Sequence, residues 1–195
     1  MSKRRAVFID RDGTLNEDVG YPGRPDQVRV FEGSYEAVRR LNRAGFLVVV
    51  VTNQSGVGRG YFSEEDVRTV HRAVGEAMAA RGARLDAFYY CPHYPGSEDP
   101  AYGLDCDCRK PRPGMGRRAA ADLDLDLAAS YMVGDKVEDI EFGTALGATP
   151  VLVLTGYGEE SRRRLAEAGP APAFIATDLR AAADWILEQE GRPGA

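Results

Sequence analysis

Cysteine, histidine and tryptophan are scarce in this sequence, at three, two and one among 195 residues. So few cysteines, and an odd number of them, cannot staple a disulfide scaffold. Long apolar runs are missing as well. The longest purely aliphatic or aromatic stretch, Phe46 to Val51, falls far short of the ~18 residues that mark a membrane span. Behind the basic Met1-Ser2-Lys3-Arg4-Arg5, the apolar run Ala6–Ile9 stops at Asp10, too early for the h-region of a signal peptide. Positive charge is not in excess either: Lys plus Arg is 25 against 30 for Asp plus Glu, a net −5 that disfavours coating nucleic acid through bulk charge. No repeat, low-complexity block or dividing linker interrupts the chain. The expectation is one domain over residues 1–195, cytoplasmic, with reduced thiols and with neither a membrane nor a nucleic acid as partner. With no apolar face left over, a monomer is expected.

What is present is 44% apolar residues, enough for a substantial core. Short β-rich runs alternate with stretches of helical period, the pattern of a parallel sheet covered on both faces. Candidate strands are Ala6–Ile9, Phe46–Val51, Ala87–Tyr90, Tyr131–Val133, Val151–Leu154 and Phe174–Ala176. Helical periodicity predicts Ser34–Ala44, a helix behind the capping box Ser63-Glu64-Glu65-Asp66 that stops near Gly82, Met115–Leu127, Glu138–Leu146, Glu159–Ala168 and Leu179–Glu188. The fold class is therefore α/β, a three-layer Rossmann-like parallel sheet with helices on both faces. Irregular segments are expected over residues 16–27 and 91–114, with a disordered tail over 190–195. His71, four residues after Val67 and three before Val74, reads as a boundary or core histidine.

Ligands in open parallel sheets bind beyond the carboxyl ends of the strands. The first strand runs into Asp10-Arg11-Asp12-Gly13-Thr14, and the fourth into Gly134-Asp135-Lys136-Val137-Glu138-Asp139. Acids crowded at the ends of two buried strands point to a cation or to catalysis. The plainer alternative is a pair of surface turns, since Asp and Gly favour turns.

Every cysteine and one histidine also fall close together, as Cys91-Pro92-His93 and, twelve residues on, Cys106-Asp107-Cys108. Three thiolates and an imidazole complete a closed tetrahedral zinc site, and four protein ligands leave no position open for a catalytic water. A structural zinc would order a loop that is rich in proline and glycine and poor in apolar residues. Unconnected buried cysteines are the alternative.

Asp-x-Asp-Gly-Thr after an apolar strand resembles the first motif of the haloacid dehalogenase (HAD) superfamily of phosphate-ester hydrolases. Val51-Thr52-Asn53-Gln54-Ser55-Gly56, Arg109-Lys110-Pro111 and Gly134-Asp135-x-x-x-Asp139 resemble its other three motifs, in order. The resemblance implies Asp10 as nucleophile and Asp12 as general acid and base, with Thr52 and Lys110 stabilising the phosphoryl oxygens. It further implies Mg²⁺ held by Asp10, the Asp12 carbonyl and Asp135, with Asp139 behind the metal. About 40 residues separate the first two motifs, so no large cap domain fits.

With the zinc loop included, residues 6–156 resemble the D-glycero-D-manno-heptose 1,7-bisphosphate 7-phosphatase family. That likeness implies a sugar bisphosphate substrate, a substrate loop at Asp18, Val19, Gly20 and Tyr21, and phosphate contacts from Thr52, Asn53, Gln54 and Ser55. It also implies recognition of the distal phosphate by Arg109, with Lys110 and Lys136 near metal and phosphate. An acid at Asp18 is not what charge alone would choose beside an anionic substrate. Histidinol-phosphate phosphatases share the motifs and the zinc loop and are the nearest alternative. A polynucleotide phosphatase fits the acidic balance less well. A non-catalytic zinc-bearing interaction module would fit only if Asp10 or Asp12 were missing.

Overall fold

A computed structural model describes residues 3–191. The elements run β1 (Ala6–Ile9), α1 (Glu32–Arg43), β2 (Leu47–Asn53), α2 (Glu64–Ala80), β3 (Ala87–Cys91), α3 (Gly114–Leu123), β4 (Tyr131–Gly134), α4 (Val137–Leu146), β5 (Thr149–Val153), α5 (Gly158–Glu167), β6 (Phe174–Ala176) and α6 (Leu179–Glu190). The six strands form one sheet in the order β3-β2-β1-β4-β5-β6, every neighbouring pair parallel.

Alternation along the strands explains the three layers. Val7 and Ile9 of β1 with Val48 and Val50 of β2 face α1, α2 and α6, meeting Val38, Leu41, Val74 and Ile186. Ala6 and Phe8 with Val49 and Val51 face the opposite way, toward Met115, Ala119, Phe142 and Leu146 of α3 and α4. Strands buried on both sides need continuous apolar runs, and that is why they stood out in the sequence. Among the described residues there is no second sheet and no inserted helical domain, so no large cap covers the carboxyl end of the sheet.

Most element boundaries shift by one or two residues from expectation, and three of the differences bear on the site or the packing. β2 continues two residues further, which carries Thr52 and Asn53 into the ladder opposite Tyr90 and Cys91. α3 stops at Leu123 instead of Leu127: Asp124 turns left-handed at φ 52°, and Asp126 N–H donates to the Arg4 carbonyl at 2.8 Å. That pairing pulls the chain out of the helix. α6 runs to Glu190, so the tail expected over 190–195 starts no earlier than Gly191; residues 192–195 lie outside the described residues.

The chain leaves β1 toward β2 on one side, and its later half builds outward from β4 on the other. The crevice where the strand order reverses therefore lies at the carboxyl ends of β1, β2 and β4.

Candidate active site

Asp10, Asp12, Asp135 and Asp139 are 4%, 8%, 0% and 1% exposed, so the surface-turn alternative fails. They follow β1 and β4, which are adjacent and bring the two acidic clusters together. Carboxylate oxygens of Asp10, Asp135 and Asp139 all lie within 4.8 Å of one another. Glycine makes this approach possible. At Gly13, with φ +91°, a Cβ would stand 2.3 Å from Asp135 Oδ2, and at Gly134 it would stand 2.3 Å from the Asp139 carboxyl carbon.

Lys110 threads into the cluster from the loop before α3. Its Nζ donates to Asp10 Oδ1 at 2.8 Å, Asp139 Oδ1 at 2.6 Å and the Val51 carbonyl at 2.8 Å. Burial works against its charge, but Asp10 and Asp139 outweigh it and hold the ammonium protonated. Burial, then the charges of Asp10 and Asp139, push Asp135 up to about 7. Burial likewise pushes Asp139 up to about 6, with Lys110 opposing. Lys110 in contact and Lys136 nearby, itself paired with Asp18, leave the three buried acids short of neutral, and an all-oxygen donor set of this kind suits Mg²⁺.

Asp12 has the opposite environment. Burial raises its pKa, yet the Arg11 charge and hydrogen bonds from Arg11, Asn16 and Gln54 together hold it below the usual carboxylate range. Arg11 is fully buried. Sequence reasoning assigned it no role, because no rule of pattern says that the residue between two acids will fold inward.

The structure brings most of the predicted substrate residues around two adjoining cavities. One, about 210 Å³, is lined by Asp10, Asp12, Thr52, Asn53, Ser55, Arg109, Lys110, Lys136, Glu138 and Asp139. The other, about 260 Å³, shares Asp12, Asn53, Ser55 and Lys136 and adds Asp18, Gly20, Tyr21, Gln54, Gly56 and Tyr157. Val19 lines neither and is exposed. The acid at Asp18 has a physical reason: its Oδ2 lies 3.2 Å from Lys136 Nζ and its Oδ1 accepts the Gly20 N–H at 2.9 Å, shaping the loop.

The side chains of Asn53 and Gln54 are already engaged. Asn53 Oδ1 accepts the Lys110 N–H at 3.0 Å and its Nδ2 donates to the Lys110 carbonyl at 3.1 Å. Gln54 Nε2 donates to Thr52 Oγ1 at 2.9 Å and to Asp12 Oδ2 at 3.0 Å. Two groups to which the sequence assigned no role brace Asp135: Thr14 Oγ1 donates to Oδ1 at 3.1 Å and Tyr157 N–H to Oδ2 at 2.8 Å. Glycines flanking Tyr157 were the only hint of a turn there.

Cys91, His93, Cys106 and Cys108 converge beside the pocket, their ligand atoms within 4.8 Å of one another. Cys91 Sγ lies 3.6 Å from Cys106 Sγ and 3.4 Å from His93 Nδ1, which lies 3.2 Å from Cys108 Sγ. A tetrahedron with bonds of ~2.3 Å has edges of about 3.8 Å, so the cluster is close to the size of a zinc site. The thiols do not ionise alike: a hydrogen bond to Cys108 and burial push Cys91 up, while a hydrogen bond from Cys91 pulls Cys108 down to about 5. The reading of His71 as a core residue agrees with its place, stacked on Phe88 at 4.7 Å. Burial and the Arg11 charge push it down to about 3.

A parallel sheet whose switch point gathers a strand-end carboxylate pair, a buried lysine and a second acidic cluster defines a HAD-like hydrolase, and the HAD-hydrolase-like family pattern matches residues 107–182. A Yersinia pestis protein named D-glycero-beta-D-manno-heptose-1,7-bisphosphate 7-phosphatase is 41% identical over 183 residues, 93% of this chain and 89% of that one. A Pasteurella multocida protein of the same name is 48% identical over 154 residues, 78% of this chain and 83% of that one. The crystal structure of D,D-heptose 1,7-bisphosphate phosphatase from B. bronchiseptica, complexed with magnesium and phosphate, superposes with a TM-score of 0.83 at 36% identity, covering 95% of this chain and 99% of that one. The chain belongs to the D-glycero-beta-D-manno-heptose-1,7-bisphosphate 7-phosphatase family and is a phosphoric monoester hydrolase.

Proposed function

We propose that this chain removes the C7 phosphate of D-glycero-β-D-manno-heptose 1,7-bisphosphate by way of an aspartyl-phosphate on Asp10. The observation that carries the chemistry is the contact of Lys110 Nζ with Asp10 Oδ1 at 2.8 Å, in a cavity that Asp12 and Thr52 also line. The names of the relatives supply the substrate and its anomer.

In the first displacement an Asp10 carboxylate oxygen bonds to phosphorus while the bond from phosphorus to the C7 oxygen breaks, and the proton of the Asp12 carboxyl, taken up as the anionic ester binds beside it, goes to that oxygen. In the second, water bonds to phosphorus as the acyl-phosphate bond breaks. Asp12 takes the water proton, and Asp10 and inorganic phosphate are released. Lys110 and Thr52 offset charge on the transferring oxygens. Asp10, Asp135 and the Asp12 carbonyl would hold Mg²⁺, with Asp139 fixing Lys110 behind them. The ion would neutralise the repulsion between carboxylate and phosphate.

Cys91, His93, Cys106 and Cys108 would hold zinc in a closed structural site. Arg109 lies beside that cluster, with its Nη1 donating to the His93 carbonyl at 3.1 Å. Its remaining donors suit bidentate recognition of the second phosphate. Asp18, Gly20 and Tyr21 shape the sugar side, with Val19 at the rim, and the backbone at residues 53–55 together with Lys136 completes the phosphate contacts. A substrate carrying a cationic amine, such as histidinol phosphate, would meet Arg109 and Lys136, and this favours the bisphosphate.

We read the protein as a monomer and as cytoplasmic, the latter supported by three cysteines that form no disulfide and suit a reducing compartment. No described helix is long and apolar enough to cross a membrane.

The test compares kcat/KM for both anomers of heptose 1,7-bisphosphate, histidinol phosphate and 4-nitrophenyl phosphate. A clear preference for the β-bisphosphate is expected. Equal, low efficiency on all four would overturn the substrate, and an Asp10→Asn variant that still turns over would overturn the mechanism.

A further inference from the structure

The least ordinary residue in the molecule is Arg11. It is the largest of the side chains with no solvent exposure, and a guanidinium charge is costly to carry into the interior unless something there pairs with it. Its partners are specific. Nε lies 3.1 and 3.2 Å from the two Asp12 carboxylate oxygens, and Nη2 lies 2.8 Å from Oδ2 and 3.1 Å from Gln54 Oε1. Gln54 closes the ring by donating to Asp12 Oδ2 and Thr52 Oγ1. Asn16 Nδ2 holds Asp12 Oδ1 from the far side at 3.0 Å. No other carboxylate contacts Arg11 among the described residues, and its Nη1 has no partner. The whole charge of a buried arginine is therefore spent on one carboxylate.

We propose that Arg11 is a positioning residue for proton transfer, fixing both Asp12 oxygens directly and through Gln54 so that Asp12 meets the leaving oxygen of the substrate in one geometry. The proposal rests on the reading of Asp12 as the proton donor. Arg11 itself touches no reacting atom, and because its charge favours the ionised form of Asp12, what it supplies is geometry and not acidity. A planar fork with two parallel donors sets the plane of a carboxylate as well as its place, which a lysine cannot do. Gln54 adds a link to Thr52, so the group that protonates the leaving oxygen and the hydroxyl that faces the phosphoryl group are braced by one amide.

General acid assistance matters in proportion to the basicity of the leaving group. An alkoxide from a sugar needs the proton, and a nitrophenolate hardly does. The experiment measures kcat/KM for a series of alkyl and aryl phosphates, ending in 4-nitrophenyl phosphate, with wild type, Arg11→Lys and Arg11→Met, and with Asp12→Asn as reference. The ratio kcat/KM stops at departure of the leaving group, so later hydrolysis of the acyl phosphate does not enter it. The variants are expected to lose about 10- to 100-fold on alkyl esters and less than about threefold on 4-nitrophenyl phosphate, steepening the leaving-group dependence in the direction of Asp12→Asn. Lysine should lose less than methionine. A burst of nitrophenolate should emerge as water activation by Asp12 slows.

A merely structural role would lower every ester alike, and that result, or an unchanged series, overturns the proposal. Should Arg11→Met fail to fold, Arg11→Lys decides on the same criterion, since it keeps a buried charge and loses the planar fork. Wild-type enzyme inactive on every ester would instead overturn the phosphatase mechanism, so the two failures are distinguishable.

Discussion

Replacing Lys110 by methionine removes the one cation that, among the described residues, contacts the Asp10 and Asp139 carboxylates, while keeping most of the side-chain volume. The ammonium is buried and makes three hydrogen bonds of 2.6 to 2.8 Å, two of them to carboxylates. Removing one partner of a buried ion pair costs about 3–5 kcal/mol, because the surviving charges stay desolvated. At an effective dielectric near 20, a unit charge ~4 Å away is worth about 4 kcal/mol, so the same change should tighten cation binding at the acids left behind.

Two effects should then separate in urea denaturation followed by circular dichroism. In chelator, Lys110→Met should be less stable than wild type by about 3 kcal/mol. In excess Mg²⁺ the gap should narrow, since a ligand present at about 100 times its dissociation constant adds about 2.7 kcal/mol and the variant binds more tightly. Activity should not return with stability, because Lys110 also faces the phosphoryl oxygens; a loss of about 100-fold in kcat is expected at saturating Mg²⁺. Equal stability of the two proteins in chelator, or equal gains from Mg²⁺, would refute the charge argument.

Protons should compete with Mg²⁺ for the raised acids. Asp139 and Asp135 titrate near 6 and 7 when metal-free, so the stability their protonation contributes is full below about pH 4 and fades as pH rises through those values. The gain in stability from Mg²⁺ should thus be larger at pH 8 than at pH 5.5, measured as the shift in urea midpoint, and a gain independent of pH would contradict this. His71 runs the other way. Held neutral with its pKa near 3, it contributes stability that is full above about 6.5 and lost as pH falls, so His71→Phe should flatten the acid limb by about one proton, or about 1.4 kcal/mol per pH unit. For the cluster at Cys91, metal analysis should find about one zinc per chain, and Cys106→Ser should lower zinc content and phosphatase activity together. Full activity in a zinc-free protein would refute the role. Gly134→Ala should cost activity, because the added methyl must displace Asp139 from Lys110.

The sheet was legible because strands covered on both faces must be apolar throughout, so Ala6–Ile9 and Leu47–Val51 announce themselves. The acids at Asp10, Asp12 and Asp135 were legible because they interrupt such runs at the ends where ligands bind. The side chains that hold those acids were not. Asn53 and Gln54 sit in a phosphate-contact motif, yet hydrogen bonds within the site take their amides, and only coordinates show which partner an amide finds. Arg11 is invisible for a related reason: arginine is a surface residue by composition, and its burial follows from Asp12, Gln54 and Asn16 meeting behind β1, across 43 residues of sequence in the case of Gln54. The end of α3 escaped because Arg4, more than a hundred residues away, competes for the backbone at residues 124–126.

The same long-range logic ties the cysteine cluster to the chemistry. Cys91 ends β3 opposite Asn53 in the ladder, and the Gln54 N–H donates to the Cys91 carbonyl at 2.8 Å. Asn53 clamps the Lys110 backbone through the oxygen and the nitrogen of its side-chain amide, while Cys108, two residues earlier in the chain, belongs to the cluster. Lys110 is therefore approached from two directions, along the chain from Cys108 and across the sheet from Cys91. An ion joining those two cysteines closes that circuit. The loop between them has little apolar material with which to close it unaided: of Tyr94, Pro95, Pro100, Ala101, Tyr102 and Leu104, none is buried. A metal with no open coordination position would contribute to catalysis by fixing where Lys110, and Arg109 beside it, stand.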